Sequence, residues 1–258
     1  MISDEHLIFL KKIKREKTWV NMIRIFIFFF FLAIWQILAS SNLINTFLFS
    51  SPSKVVSTLY NLFLNNDLLI HIGITLFEIV ISFILSVCIG IIIASIMWSF
   101  SFLYKIIDPY LTILNSLPKV ALGPLIIIWF GASIKSIIVM SILINVFIMI
   151  INVYQGFIST NTDYITMAKS FGANKWQIFR YIVFPCNINN IISALKVSVS
   201  MNLIGVIMGE LLVSKKGIGY LIMYGSQIFN IDLIITCIFI LGFISYIMYL
   251  LINKKSRH

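Results

Sequence analysis

Six windows of about twenty apolar residues, the length an α-helix needs to cross a bilayer, follow one another along this 258-residue chain. They fall near 22–40, 73–98, 106–130, 135–154, 188–212 and 231–252. Within lipid, backbone polar groups are satisfied inside a helix or in a closed barrel, so windows this long predict an all-α polytopic membrane protein. A hydrophobic share of 60% against 11% charged residues leaves too little polar surface for a water-soluble globule. The net charge of +10 does not point to nucleic acid, because the cations gather at the ends of the chain. Lys11, Lys12, Lys14, Arg15, Lys17 and Arg24 accompany the start of the first window, and Lys254, Lys255 and Arg257 follow the last. The expected organisation is a basic cytoplasmic segment over 1–21, a transmembrane domain over 22–252 and a cytoplasmic tail over 253–258.

Basic residues concentrate in cytoplasmic loops, which sets an orientation. With the amino terminus inside, the inner side receives both terminal clusters, Lys105 and the cations around Gly172, and the outer side keeps Lys54, Lys135, Lys215 and Lys216. The chain is therefore expected to be multi-pass in a bacterial cell membrane. Its first window, preceded by a basic stretch and followed by more spans, reads as a retained signal anchor. Ser51-Pro52-Ser53 supplies a cap and a proline start for an amphipathic helix to about Asn65, lying on the outer membrane surface or against neighbouring helices. Asp108-Pro109, Leu117-Pro118-Lys119 and Gly123-Pro124 interrupt the third window. Prolines free carbonyls that other helices or water must satisfy, so this span is expected to face the bundle interior, with a simple kink as the alternative. Cys88, Cys186 and Cys237, like His6, His71 and His258, are scattered without disulfide or metal-ligand spacing, and no metal site is expected.

The loop over 160–187 is longer than a connector needs. Asn161, Thr162 and Asp163 are capping residues for a short helix to Phe171, Gly172 supplies the left-handed turn that ends it, and Lys175 to Val183 form a second helix stopped at Pro185. Trp176, Ile178, Phe179 and Ile182 give that second helix an apolar face, while Lys175, Gln177 and Arg180 are left for a soluble partner. The alternative is an amphipathic loop resting on the lipid surface.

Ala168, Gly172, Ile182 and Pro185 fall on a spacing that resembles the EAA loop of ABC-importer permeases: Glu-Ala-Ala, three residues, Gly, nine residues, Ile, one residue, Leu-Pro. Thr166 stands where that family has Glu, Met167 where it has Ala and Phe184 where it has Leu. Asp108-Pro109, Leu117-Pro118, Pro124-Leu125, Trp129-Phe130-Gly131, Ser51-Pro52-Ser53 and Gly217-Ile218-Gly219-Tyr220 are similar to the nitrate, sulfonate and taurine branch, so the resemblance runs from Ser51 to Asp232. It implies a type I ABC importer (MetI-like) permease fold. It also implies an ATPase-coupling role for Thr166, Ala168, Lys169, Gly172, Ala173, Lys175, Arg180, Ile182 and Pro185. Implied partners are ABC ATPase subunits, an extracytoplasmic solute-binding protein and a second permease copy. ATP and Mg would sit on the ATPase, with no cofactor on this chain. The implied solute is a nitrate-, sulfonate- or taurine-type oxyanion, with a thiamine pyrimidine or other vitamin precursor second.

The chain has no phosphate-cradling G-x-x-x-x-G-K-[ST] run, no H-E-x-x-H helix and no G-x-S-x-G elbow, so no catalytic site is expected. Asn115, Pro118, Ser198, Asn202 and Glu210, with Thr112, Ser116, Ser193 and Ser200, either line a polar path or hold helices together. Glu78, Asp108, Glu210 and Asp232 lie near estimated span ends, within reach of the interface or of Lys196, Lys215 or Lys216; a structural or gating role is expected. Glu210 follows Gly205 and Gly209, a spacing that permits close helix approach, and precedes a Ser214–Gly219 loop able to re-enter the outer mouth. Two rivals stand beside this reading: an ion-coupled secondary transporter using Glu78 and Glu210, and a membrane scaffold whose basic loop recruits a soluble protein.

Overall fold

The structure, a computed structural model, describes residues 4–65 and 67–255. His258 and Arg257, and the side chains of His6, Lys11, Lys254 and Lys255, lie outside the described residues. All regular elements among the described residues are helical. The chain runs α1 (Asp4–Ser40), α2 (Thr46–Phe49), α3 (Pro52–Leu64), α4 (Asp67–Ser99), α5 (Ser101–Ser116), a 3-10 turn (Lys119–Leu122), α6 (Gly123–Phe130) and α7 (Ile134–Ile158). It continues through α8 (Thr162–Ser170), α9 (Lys175–Ile178), a π turn (Phe179–Val183), α10 (Phe184–Cys186), α11 (Ile188–Val213), α12 (Ile218–Gln227) and α13 (Ile231–Lys255).

Five helices are long and apolar enough to cross a membrane, in α1, α4, α7, α11 and α13. The expected third span is not one helix. It breaks at Leu117-Pro118 into α5 and α6, whose axes differ by 86°. The reason is local: Leu117 is extended, as a residue before proline prefers, and Pro118 brings no N–H to carry the helix on. The polar residues of α5 divide: Asp108 and Asn115 are half-buried, whereas Thr112 and Ser116 are exposed and bond the backbone carbonyls of Asp108 and Ile113.

At the centre of the bundle, α7 packs between α4 and α11. Small residues set these distances: a methyl group added at Gly205 would lie 2.5 Å from Cα of Ser141, and one at Gly209 would lie 2.9 Å from Cα of Ile137. Gly90 of α4 packs equally tightly against Met149 of α7. With no hydrophobic drive between helices in lipid, such close backbone approach and interhelical hydrogen bonds supply the attraction. Ser141 donates to Oδ1 of Asn202 at 2.8 Å, Ser198 donates to Oδ1 of Asn145 at 2.9 Å, and Nδ2 of Asn202 reaches the carbonyl of Ile79 on α4 at 2.9 Å.

α1 sits apart. The basic stretch and the first apolar window form one uninterrupted helix, and Phe26 to Phe31 are all more than half exposed. Its carboxyl end is anchored through Trp35, stacked 6.1 Å from Phe239 of α13, and Gln36, which accepts from the backbone N–H of Ser53. α3 starts as its sequence predicts, with Ser51 as N-cap and Pro52 at the first position, and it lies against α13, where Lys54 is 4.0 Å from Asp232.

Candidate functional site

The loop between α7 and α11 folds into a compact knob. Asn161 caps α8 by accepting from the N–H of Asp163 at 2.8 Å. The helix closes with Gly172 at φ +78, its N–H donating to the carbonyl of Lys169, while the N–H of Ala173 reaches Ala168. That is a helix ending in a left-handed residue, satisfying carbonyls that would otherwise be orphaned. Asn174 and Gln177 then cap α9 reciprocally at 2.8 and 2.9 Å. Gln177, expected to be free for a partner, is spent in this capping box.

The second helix does not stop at Pro185. After α9 the backbone widens into the π turn, with the N–H of Phe184 bonding the carbonyl of Phe179, and Pro185 lies inside α10. A wide turn places proline where its missing N–H breaks no regular ladder, so the segment runs on to Cys186. The apolar face is also narrower than its spacing predicts. Ile178 and Phe179 are buried and Ile182 is half-buried, but Trp176 is 64% exposed.

Phe179 ties the knob to the bundle. Its ring lies 5.2 Å from Trp98 at the end of α4 and 5.3 Å from Phe157 near the end of α7, edge-on to the latter. Asn187, buried at the start of α11, donates from Nδ2 to Oγ1 of Thr160 at 2.6 Å and to the carbonyl of Val183 at 2.8 Å, closing the base of the loop. Ala168 is buried against this cluster. Thr166, Lys169, Lys175 and Arg180 are exposed, beside Met167, Trp176, Tyr181 and Phe171, the last 83% exposed. The knob thus has an inner face locked into α4 and α7 and an outer face mixing cations with large apolar groups. Trp98, Phe157 and Asn187 were missed in the sequence, where nothing links them to positions on the loop.

At the opposite end, Glu210 is buried and immobilised. Thr75 of α4 donates to its Oε1 at 2.6 Å, and the N–H of Gly219 donates to Oε2 at 2.5 Å. The N–H of Ile218 bonds Thr75, and that of Gly217 bonds Nδ1 of His71, whose ring stacks on Tyr220. His71 is therefore part of a lock around Glu210. Glu78 is wholly buried in the interior of α4, away from the span end expected for it, and the carboxyl group facing it is that of Glu210. Neither glutamate meets the expected lysines: Lys196 donates to Asn253 at 2.9 Å, and Lys215 and Lys216 are exposed.

Of the residues set out for a translocation path, Ser198, Asn202 and Glu210 are buried struts between α4, α7, α11 and the Gly217 loop. Asn115 and Pro118 lie instead at the exposed break between α5 and α6. There Lys119 folds back, its Nζ donating to the carbonyl and to Oδ1 of Asn115, both at 3.0 Å, and resting 5.6 Å from the ring of Phe147. The three cysteines are free, Cys88 and Cys186 exposed and Cys237 buried, and among the described residues no three His, Cys, Asp or Glu side chains gather as a metal site would need.

Residues 86–258 match the family model described as binding-protein-dependent transport system inner membrane component. The chain belongs to this family. It is the membrane-spanning permease subunit of an ABC importer. The permease is 31% identical over 224 residues to a Haemophilus influenzae protein described as a probable ABC transporter permease, covering 86% of this chain and 90% of that one. It is 29% identical over 231 residues to a formylaminopyrimidine transport permease of Halalkalibacterium halodurans (89% and 91% covered), and 22% identical over 231 residues to the taurine transport system permease of Escherichia coli (88% and 84% covered). In fold the permease is similar to the methionine ABC transporter MetNI in inward-facing conformations, with a TM-score of 0.67 at 18% identity over 74% of this chain and 94% of that one. It is likewise similar to a bacterial ABC transporter involved in import of the acidic polysaccharide alginate, with a TM-score of 0.65 at 19% identity over 96% and 98%.

Proposed function

We propose that the permease imports a small solute delivered by an extracytoplasmic binding protein, driven by ABC ATPase subunits that grip the 160–187 knob in the cytoplasm. The observation that carries this reading is the two-faced build of the knob. Phe179 and Asn187 key it rigidly to the ends of α4, α7 and α11, while Phe171, Trp176, Tyr181 and three cations face outward. A surface loop with no partner would not hold so many large apolar groups in water. A force applied to it passes directly into the central helices. Thr166, in the place of the family Glu, is exposed and bonds the carbonyl of Thr162, so its contribution to the grip is a hydroxyl contact in place of a charge.

In this arrangement two copies of the chain form the pore, residues 22–252 make up the transmembrane domain, and the amino-terminal segment, the knob and the tail lie on the cytoplasmic side. ATP and Mg bind the ATPase subunits, whose closure pulls the knobs and turns the bundle from inward-open to outward-open. The solute is a nitrate-, sulfonate- or taurine-type oxyanion, in keeping with the taurine relative. A thiamine-type pyrimidine is the second reading, supported by the formylaminopyrimidine permease that matches 89% of the chain.

The test is ATP-driven uptake in vesicles that hold the permease with its ATPase and binding protein. Gly172→Pro forces φ from +78 to about −65° and removes the bond to Lys169, so it should abolish coupled uptake while the protein still inserts. Uptake that survives this change excludes the knob as the transmission element.

A further inference from the structure

Lys119 is an ionisable side chain placed where the bilayer should be most apolar. Its ammonium rests against Phe147, which lies midway along α7, and α7 is long and apolar enough over its whole length to cross a membrane. A cation at such depth is costly and is found facing a bundle interior or a water-filled path, paired or solvated. Lys119 has no carboxylate partner: among the described residues the ion pair formed is Lys54 with Asp232. Two of its three N–H groups go to neutral oxygens of Asn115, and no acceptor among the described residues takes the third. Of the buried carboxyl groups, Glu210 is held by Thr75 and the N–H of Gly219, and Glu78 is buried beside Glu210; neither forms an ion pair with Lys119 among the described residues.

The setting is also unusual. Lys119 stands at the 86° break between α5 and α6, two apolar helices that together are long enough to span a membrane, and such breaks are tolerated at depth only where the backbone is buried in protein or lines a cavity. Its side chain is half-buried, next to the exposed Pro118 and Val120, so the residue stands at the edge of the packed interior, with its ammonium on Asn115 and Phe147. α6 begins four residues on and directs the positive end of its dipole toward the same break.

We propose that Lys119, oriented by Asn115, is an anion-contact site in the translocation path that receives the oxyanion group of the solute at mid-membrane. This rests on the import function proposed above and adds the residue that selects the charge. The ammonium supplies a charge-assisted hydrogen bond, and the break lets solute approach it without crossing hydrocarbon.

Vesicles holding the complete transporter would be tested with labelled methanesulfonate and nitrate, and with a labelled aminopyrimidine as the uncharged probe. Lys119→Met is expected to lower kcat/KM for the anions about tenfold or more, chiefly through KM, because a hydrogen bond to a charged group is lost. Lys119→Arg is expected to stay within about threefold of the parent, since guanidinium keeps the charge and the donors. Both variants should melt with the parent and keep ATP hydrolysis coupled to the binding protein. Anion uptake unchanged in Lys119→Met overturns the proposal and leaves the import function standing. So does a parent transporter that carries the aminopyrimidine and neither anion. Early melting with equal loss for every probe also overturns it, leaving Lys119 as a cap on the last carbonyls of α5. Uptake that proceeds without ATP removes the import function itself, and the proposal with it.

Discussion

Gly217 holds φ at +111, and a methyl group added there would collide with the carboxylate of Glu210. Gly172 also has a positive φ, +78, but open space surrounds it. The two therefore separate backbone strain from steric conflict. Gly172→Ala should cost about 1 kcal/mol, the penalty for a left-handed residue with a Cβ. Gly217→Ala should cost about 3 kcal/mol or more, because it adds displacement of a buried carboxylate to that strain. Thermal unfolding of the purified variants checks the order, and equal losses would show that the Glu210 lock adds no stability. Gly217 and Glu210 are seven residues apart in the chain, yet their contact is not legible there. It depends on Thr75, which is 135 residues from Glu210 and holds both Oε1 and the N–H of Ile218.

Among the elements, the knob shows what local chemistry does and does not reveal. The first helix, its Asn161 cap and the Gly172 turn are present in the residue types, since capping and positive φ are short-range demands. The π turn is not, because it answers to packing: Phe179 must reach Trp98 and Phe157 while Asn187 reaches Thr160. Phe179→Ala should remove this keying and cost about 3–4 kcal/mol, typical of a buried phenylalanine truncated to a cavity. The expected readout is uncoupling, with ATP hydrolysis retained and uptake reduced more steeply than thermal stability explains. If uptake and stability fall in proportion, the cluster is packing alone. The third window teaches the same lesson from the other side. Its prolines announced an interruption, and Leu117-Pro118 makes the break locally, but where α6 goes after the 86° turn is not legible there: it docks against α7 through Ile126 and Met140.

For the whole molecule, the decisive quantity is which end of the bundle faces the cytoplasm. α7 and α11 meet the knob at one end and the Gly217 lock at the other, so one measurement orients every element between them. A cysteine placed at Lys175, in a background with Cys88, Cys186 and Cys237 replaced, should react with a membrane-impermeant thiol reagent in inverted vesicles and not in intact cells. Reaction from the cell exterior would detach the knob from any cytoplasmic motor and reverse the assignment of both ends. The sequence by itself determined the all-helical membrane class, five of the long apolar helices and the existence of the loop, because apolar length, charge at helix ends and capping residues act over a few turns. Only the tertiary structure showed that Ser198 and Asn202 bond across helices, that Glu210 is held by Thr75 and Gly219, and that Lys119 stands at a break without a carboxylate partner among the described residues. Those roles are set by which side chains from distant segments come within hydrogen-bonding reach, and a hydrogen bond fades within a fraction of an ångström beyond its length, a distance that spacing along the chain does not encode.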